Sequence, residues 1–273
     1  MQNFSVLMSV YFKEKPEFLI KSLNSVINQT IPPDEIVLVK DGGLTPELDN
    51  VVLEFSRKYN ELFNVVSLKE NVGLGCALAK GLKVCRNELI ARMDTDDICV
   101  SNRFELQLKE FDKDSKLDIC GGYIEEFVDN ENNIIAFRKV PLNQNDIYKY
   151  QKKRDAFNHM TVMYKKSTVL AAGNYQNCLL MEDSLLWSNM LIKNAHCKNI
   201  PAILCKVRVG NEMYSRRGGY RYFVKYVLGR TRILKTGYIG IFDYIETICA
   251  QFCVAFAPLW MRKMLFKYFL RSK

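Results

Sequence analysis

The first hundred residues alternate between short apolar runs of strand formers and longer stretches with apolar residues at helical spacing, and this alternation leaves few folds open. "FSVLMSV" at 4–10, "EIVLVK" at 35–40 and the stretches 63–68 and 88–93 read as four strands. Between them lie a helix opened by Pro16, with Phe18, Leu19, Leu23, Val26 and Ile27 on its apolar side, a helix over about 46–59 and a helix over 73–85. Strand and helix in turn, with connections of a few residues, predict an α/β fold with a mostly parallel central sheet covered on both faces. After Arg103 the pattern changes to a helix ending near Lys113, a hairpin turning at 129–133, and helical patterns near 146–154, 167–172 and 182–195. No linker rich in Gly, Ser or Pro and no internal repeat interrupts the chain, so an α/β half and a mixed α+β half are expected in one continuous domain.

Composition narrows the class. At 273 residues, with 48% hydrophobic and 25% charged residues, the chain is long enough to bury a full core and carries no disorder signature. Nine cysteines, scattered singly and without a C-x-x-C pair, read as reduced thiols rather than as a disulfide framework or zinc site. The start of the chain lacks a basic segment followed by a long apolar one, so the expected location is the cytosol. The net charge of +9 is unevenly spread: residues 1–205 carry 25 Lys and Arg against 27 Asp and Glu, whereas 206–273 carry 14 against 3. A basic tail of this kind implies an anionic partner, whether nucleic acid, a phosphorylated ligand or a membrane surface.

Ligands of open α/β sheets bind beyond the carboxyl ends of the strands. That rule selects Tyr11, Asp41 and the acid cluster of "RMDTDD", in which Asp94, Asp96 and Asp97 follow a buried strand directly. Asp96 and Asp97 have a structural reading as caps of the helix beginning near Ser101. Their place at the end of a fourth buried strand favours the other reading, a hard divalent cation held by one or two carboxylates together with substrate phosphates.

Five motifs in order, "SVLMSVYFKE", "EIVLVKDGG", "ENVGLGCALAKGL", "LIARMDTDD" and "MEDSLLW", resemble the inverting family 2 glycosyltransferases with the GT-A fold, over about residues 3–195. "NRFE", "NHMTVMYKKS" and "RRGG" resemble the bacterial enzymes that build O-antigen, capsule or exopolysaccharide repeat units. The resemblance implies a GT-A catalytic domain over 1–210, its nucleotide-binding half about 1–100 and its acceptor-binding half about 101–210, followed by a basic amphipathic helical extension over 211–273. It implies that Val10 and Tyr11 adjoin the nucleotide, Tyr11 lying against the uracil ring, and that Asp41 hydrogen-bonds the base edge. Asn71 and Gly73 open the third helix toward the nucleotide, although Cys76, Ala77 and Leu78 stand where many relatives carry a cation and Lys80 is the nearest one. Arg92, Asp94, Thr95 and Asp96 complete the nucleotide-sugar site, with Asp94 on the ribose and Asp96 on Mn²⁺ or Mg²⁺, while Asp97 faces the sugar or orients its neighbours.

By the same resemblance Asp183 is the general base and Glu182 binds the acceptor, at the start of a helix expected to be amphipathic, whose N-terminus helps keep both ionised. Asn158 and His159 border the acceptor site, and Arg216 and Arg217 grip a diphosphate that the two following glycines approach with backbone amides. His159 also has a plain reading as a packed polar residue, and His196 reads as structural. The implied partners are a UDP-sugar and an undecaprenyl-diphosphate-linked saccharide.

In the tail the longest uncharged run, 247–261, is 15 residues and includes Gln251 and Pro258, too short for a bilayer span of roughly 20. Trp260, Leu265, Phe266 and Phe269, interleaved with Arg262, Lys263, Lys267 and Arg271, suit a helix lying on the cytoplasmic face of the inner membrane. Two rivals fit less well. A sugar-phosphate nucleotidyltransferase should carry a Gly- and Arg-rich loop after the first strand, and "SVYFKEKPE" has no glycine. A nucleic-acid-binding protein leaves the two acid groups unexplained.

Overall fold

The computed structural model describes residues 2–210 and 217–265. In chain order the elements are β1 (Phe4–Val10), α1 (Pro16–Ile27), β2 (Glu35–Lys40), α2 (Pro46–Lys58), β3 (Phe63–Ser67), α3 (Leu74–Val84), β4 (Leu89–Arg92), β5 (Ile98–Cys99), α4 (Arg103–Lys113), β6 (Ile119–Phe127), β7 (Ile134–Arg138), α5 (Gln144–Gln151), β8 (Met163–Lys165), α6 (Lys166–Ala171), α7 (Glu182–Ile192), β9 (Cys197–Arg208), α8 (Tyr220–Lys235), α9 (Ile241–Phe256) and α10 (Leu259–Leu265). They form one sheet in the order β3-β2-β1-β4-β8-β6-β9-β5, with β7 on β6.

The four expected strands pair in parallel, β3 to β2, β2 to β1 and β1 to β4, so their carboxyl ends share one rim. Beyond β4, β8 runs antiparallel and β6 pairs in parallel with β9 over nine residue positions, so parallel pairing dominates. The alternation of side chains along β1 supplies both cores. Leu7 packs with Val37, Val39 and Ile90 under α3 and α7, while Val6, Met8 and Val10 pack with Ile36 and Leu38 under α1, α2 and α4.

The helices begin where the sequence signals them. Pro16 opens α1, and Thr45 caps α2 by accepting a hydrogen bond from Leu48 N at 3.3 Å. The α7 helix departs from expectation: Ser184, Leu185, Leu186, Trp187, Ser188, Met190 and Leu191 are all buried, so it is not amphipathic but enclosed nearly all round. It is covered partly by α8, whose Gly229 lies against Met181 and whose Ile233 joins the α3/α7 core with Tyr238 and Ile239. Arg230 of α8, 3% exposed, donates to the Lys152 carbonyl at 2.7 Å. All nine cysteines are free, but Cys249 and Cys253 on α9 are exposed rather than core residues.

Two buried features fix the site's position. Arg103, fully buried, donates through Nη2 to the Arg92 carbonyl at 2.8 Å and the Val162 carbonyl at 3.3 Å, and through Nη1 to the sulfurs of Cys99 and Cys205. It therefore ties the end of β4 to its neighbours from below. Gly75, in the first turn of α3, sits so close to α7 that an added Cβ would lie 2.5 Å from the Gln176 carbonyl and 3.0 Å from Glu182 Cβ. Gly75→Ala should lower stability by about 1–3 kcal/mol, the usual cost of overpacking against backbone. Urea denaturation measures it, and a change within error would show that this approach is loose.

Candidate active site

The rim formed by the parallel strands holds the first group of expected residues. Val10, at the end of β1, turns its side chain into the core, and its carbonyl accepts from Asp41 N at 2.8 Å. Tyr11, next in sequence, is 38% exposed, with its ring edge-on to Phe12. Asp41 is 3% exposed, and its two carboxylate oxygens accept from Val72 N at 2.8 Å and Gly73 N at 3.1 Å. Its first bond is thus to the loop that opens α3, and the Asn71 side chain closes the same contact by donating to the Asp41 carbonyl at 3.2 Å. Gly73 at φ 85° and Gly42 at φ 86° make this approach of two loops feasible, since both conformations disfavour a Cβ.

At the end of β4, Arg92 is 1% exposed and ion-paired with Asp94. Burial works against its charge, but Asp94, with Tyr175 and Asp97 adding to it, more than offsets that, and the guanidinium stays firmly protonated. Thr95 Oγ1 donates to Glu14 Oε2 at 2.9 Å. Burial, then the like charges of Asp94 and Glu14, pushes the Asp96 carboxyl up to about 7. Asp97 is turned inward, 2% exposed, accepting from Arg208 N at 2.9 Å, and burial with Asp96 and Asp94 beside it raises its proton affinity strongly.

The acid cluster suits a divalent cation by its donor chemistry: oxygen ligands, partly buried, with more negative charge than Arg92 neutralises. Among the described residues no three His, Cys, Asp or Glu side chains form a self-sufficient cage, so Asp96 would hold such an ion together with phosphate oxygens.

The second acid pair approaches from the other half of the chain. Glu182 and Asp183 open α7 near Arg92, whose charge both carboxyls feel. Backbone amides at the helix start do favour the ionised form of both, as expected, but burial outweighs them and raises the proton affinity of both, most strongly for Asp183, where Asp155 and Glu182 add like charge. His159 lies beside this pair, with Nδ1 4.0 Å from Asp183 Oδ2 and Nε2 3.1 Å from the Tyr175 hydroxyl. Burial, then Arg92, holds the His159 ring neutral. Asn158, next to it in sequence, is fully buried, donating to the Gly122 carbonyl at 2.8 Å.

The "RRGG" segment is described only from Arg217 onward, and Arg216 lies outside the described residues. Gly219 N donates to the Ala255 carbonyl at 2.8 Å, and Gly218 packs flush on the Arg262 guanidinium. These two glycines dock the α9–α10 corner, and the Gly219 amide is taken up there. Arg262 is likewise turned inward, 8% exposed, onto the carbonyls of Val254, Ala255 and Ala257. His196 is exposed, just ahead of β9.

Four residues at the site escaped the sequence reading. Glu14 stands in the turn after β1, and Tyr175 precedes α7. Asp155 follows α5 and holds Ser184. Arg208 ends β9, its guanidinium 3.8 Å from the Phe18 ring centroid and 4.6 Å from that of Phe127, and it donates to the Asp96 carbonyl at 3.3 Å. Only Glu14 sits in a motif, as the last residue of "SVLMSVYFKE"; Asp155, Tyr175 and Arg208 sit in none.

The raised carboxyls have a consequence for stability. Asp96, Asp97, Asp183, Glu182 and Glu14 all bind protons more tightly in the folded protein than in the unfolded chain. Folding then takes up protons between the ordinary carboxylate range, about 4, and about pH 7, so stability falls as pH rises through that window. His159, shifted down, opposes this only below its ordinary value. The Cys99 thiol, lowered to about 7, acts above the window. Thermal unfolding of the ligand-free protein should therefore occur at a higher temperature at pH 5.5 than at pH 7; the reverse order would refute the charge burial described here.

The family model "Glycosyl transferase family 2" matches residues 5–169. The chain is 35% identical over 269 residues to the UDP-Gal:alpha-D-GlcNAc-diphosphoundecaprenol beta-1,3-galactosyltransferase of Escherichia coli, covering 98% of this chain and 97% of that protein. It is 40% identical over 219 residues to the amylovoran biosynthesis glycosyltransferase AmsE of Erwinia amylovora, covering 80% and 81% of the two chains. Among solved structures, S. aureus TarS 1–349 in complex with UDP-GlcNAc superimposes with TM-score 0.62 at 20% identity, over 85% of this chain and 66% of that one. The mannosyltransferase PcManGT of Pyrobaculum calidifontis, in complex with GDP-Man and Mn²⁺, gives TM-score 0.62 at 15% identity, over 97% and 78%. The fold is that of the GT-A transferases, and the chain belongs to glycosyl transferase family 2.

Proposed function

We propose that the protein transfers a hexose from a UDP-sugar, with inversion, to a lipid-diphosphate-linked saccharide during bacterial surface polysaccharide assembly. The observation that carries this reading is the convergence on Arg92: Asp94 pairs with it from the strand end, and Glu182 and Asp183 feel its charge from the start of α7. A nucleotide-side acid group and an acceptor-side acid pair thus share one neighbourhood, as displacement at an anomeric carbon requires. The name of the Escherichia coli relative favours a polyprenyl-diphosphate acceptor and puts galactose first among the hexoses to test, with glucose and the N-acetylhexosamines next.

In this reading Tyr11 lies against the uracil, Asp94 binds the ribose and Glu182 orients the acceptor. Asp183 takes the proton from the acceptor hydroxyl, whose oxygen attacks the anomeric carbon as UDP leaves from the opposite face, so an axial donor bond becomes equatorial. A divalent ion at Asp96, Mn²⁺ or Mg²⁺, would supply charge neutralisation to the departing diphosphate. The buried base is a strong proton acceptor once ionised, which suits a hydroxyl that ionises far above neutral pH. Asp183→Asn should lower transfer from UDP-galactose in the presence of Mn²⁺ by about 10²–10⁴-fold while leaving UDP affinity near that of the unaltered protein. Retained turnover would remove Asp183 from the role of base.

The acceptor's lipid calls for a membrane surface. Among the described residues no helix is long and apolar enough to cross a membrane. Yet α8–α10 present large apolar side chains outward: Phe242 is 85% exposed, Trp260 64% and Leu228 60%. Together with the basic excess of 206–273, this face suits the anionic cytoplasmic side of the inner membrane. Here the structure amends the sequence reading in one respect, since Arg262 faces inward, while Phe266, Lys267, Phe269 and Arg271 lie outside the described residues. The protein should sediment with vesicles containing anionic phospholipid and much less with zwitterionic ones. Replacing Phe242 and Trp260 together by Glu should weaken that binding at least tenfold; equal sedimentation would assign the face to another partner.

A further inference from the structure

Asp183 does not stand alone with its sequence neighbour. Asp155, in the segment that follows α5, accepts a hydrogen bond through Oδ1 from the Ser184 hydroxyl, and the backbone N of the same serine donates to Asp183 Oδ1 at 2.7 Å. One residue thus bridges two carboxylates that lie 28 positions apart in the chain. Asp155 is itself fixed from two sides. Gln151 Nε2 donates to Oδ1 at 3.3 Å, and the Arg138 guanidinium donates to the Asp155 carbonyl at 2.9 Å.

We propose that Asp155 is a positioning residue for the base: through Ser184 it holds the first turn of α7 in register, and it lays a second negative charge against Asp183. This rests on the reading of Asp183 as the base and adds to it a residue that no motif marks. The groups facing Asp183 come from every element packed there. Glu182 on α7 and Asp155 are negative, Arg92 on β4 is positive, and His159 is held neutral by burial. The Tyr175 phenol is kept protonated, again chiefly by burial. After burial itself, Asp155 contributes most to the raised proton affinity of Asp183, ahead of the adjacent Glu182.

The charge of Asp155 is also felt at Tyr222, Tyr226 and Arg230 of α8, the helix that packs on α7. A carboxylate in this place strengthens the base once it is ionised, because a proton taken up by Asp183 relieves like-charge repulsion. It also confines that ionisation to higher pH, since the repulsion must be overcome first.

Asp155→Asn separates the two parts of the role. An asparagine oxygen still accepts from Ser184, so the first turn keeps its anchor, and only the charge is lost. In the full chain, the acid limb of kcat/KM against pH should move about one unit toward lower pH. The plateau value of kcat should fall severalfold as the base weakens. UDP affinity should be unchanged, and Asp155→Glu, which restores the charge, should return the limb toward its original position. An acid limb for Asp155→Asn that superimposes on that of the unaltered protein overturns the proposal. Failure of the underlying reading shows separately, as turnover retained by Asp183→Asn.

Discussion

The site is organised around a cation with almost no access to water. Arg92 ends a central strand at 1% exposure, and a guanidinium buried to that degree is stable only among anions. Asp94 pairs with it directly, and Asp97, Glu182 and Asp183 lie within reach of its field. The arrangement is mutual, because none of these carboxylates would stand so close together without it. Even so, the negative charges exceed the positive one, and burial, with that surplus adding to it, raises the proton affinity of Asp96, Asp97 and Asp183. A site in that condition favours ligands that bring positive charge or take up a carboxylate's lone pairs, such as a metal ion, an acceptor proton or a ribose hydroxyl.

Much of the fold's remaining structure keeps that cluster in place. Arg103 grips the Arg92 carbonyl from beneath the sheet, a second buried arginine whose other partners are Gln107, the Val162 carbonyl and sulfur atoms. Arg208, between two aromatic rings, fixes Asp96 and Asp97 through a main-chain carbonyl and a main-chain amide. Across the site, α7 is buried on almost all sides by α3, α5, α6 and α8, so the Glu182–Asp183 pair is set by packing more than by its own helix. The close approach of α3 at Gly75 and of α8 at Gly229 leaves no slack for the helix to rotate.

The parallel half was legible because strand and helix periods differ; β1, β2 and α4 lie where the patterns put them. Asp94 and Asp96 were legible as strand-end acids, and Glu182 and Asp183 as a helix start. What was not legible shares a cause. The partners of Asp41, the amides of Val72 and Gly73, are main-chain groups with no sequence signature. Nothing local announces that Arg262 packs on one of the glycines after Arg217 and that the Ala255 carbonyl binds the other. Asp155 and Arg208 were invisible for the same reason, each acting on residues far away in the chain.

The sequence by itself determined the order of strands and helices, the rim on which ligands meet the sheet, and the chemical types of the acids there, because periodicity, caps and strand ends are local properties. It also determined the family, since five weak motifs in a fixed order are specific together. Tertiary structure alone decided which charges face one another, and therefore which carboxyls hold protons: proton affinity depends on burial and on neighbours brought together by the fold. It also decided that α7 is enclosed and that α8 through α10 turn their aromatic residues outward, because which face of a helix is covered depends on what packs against it.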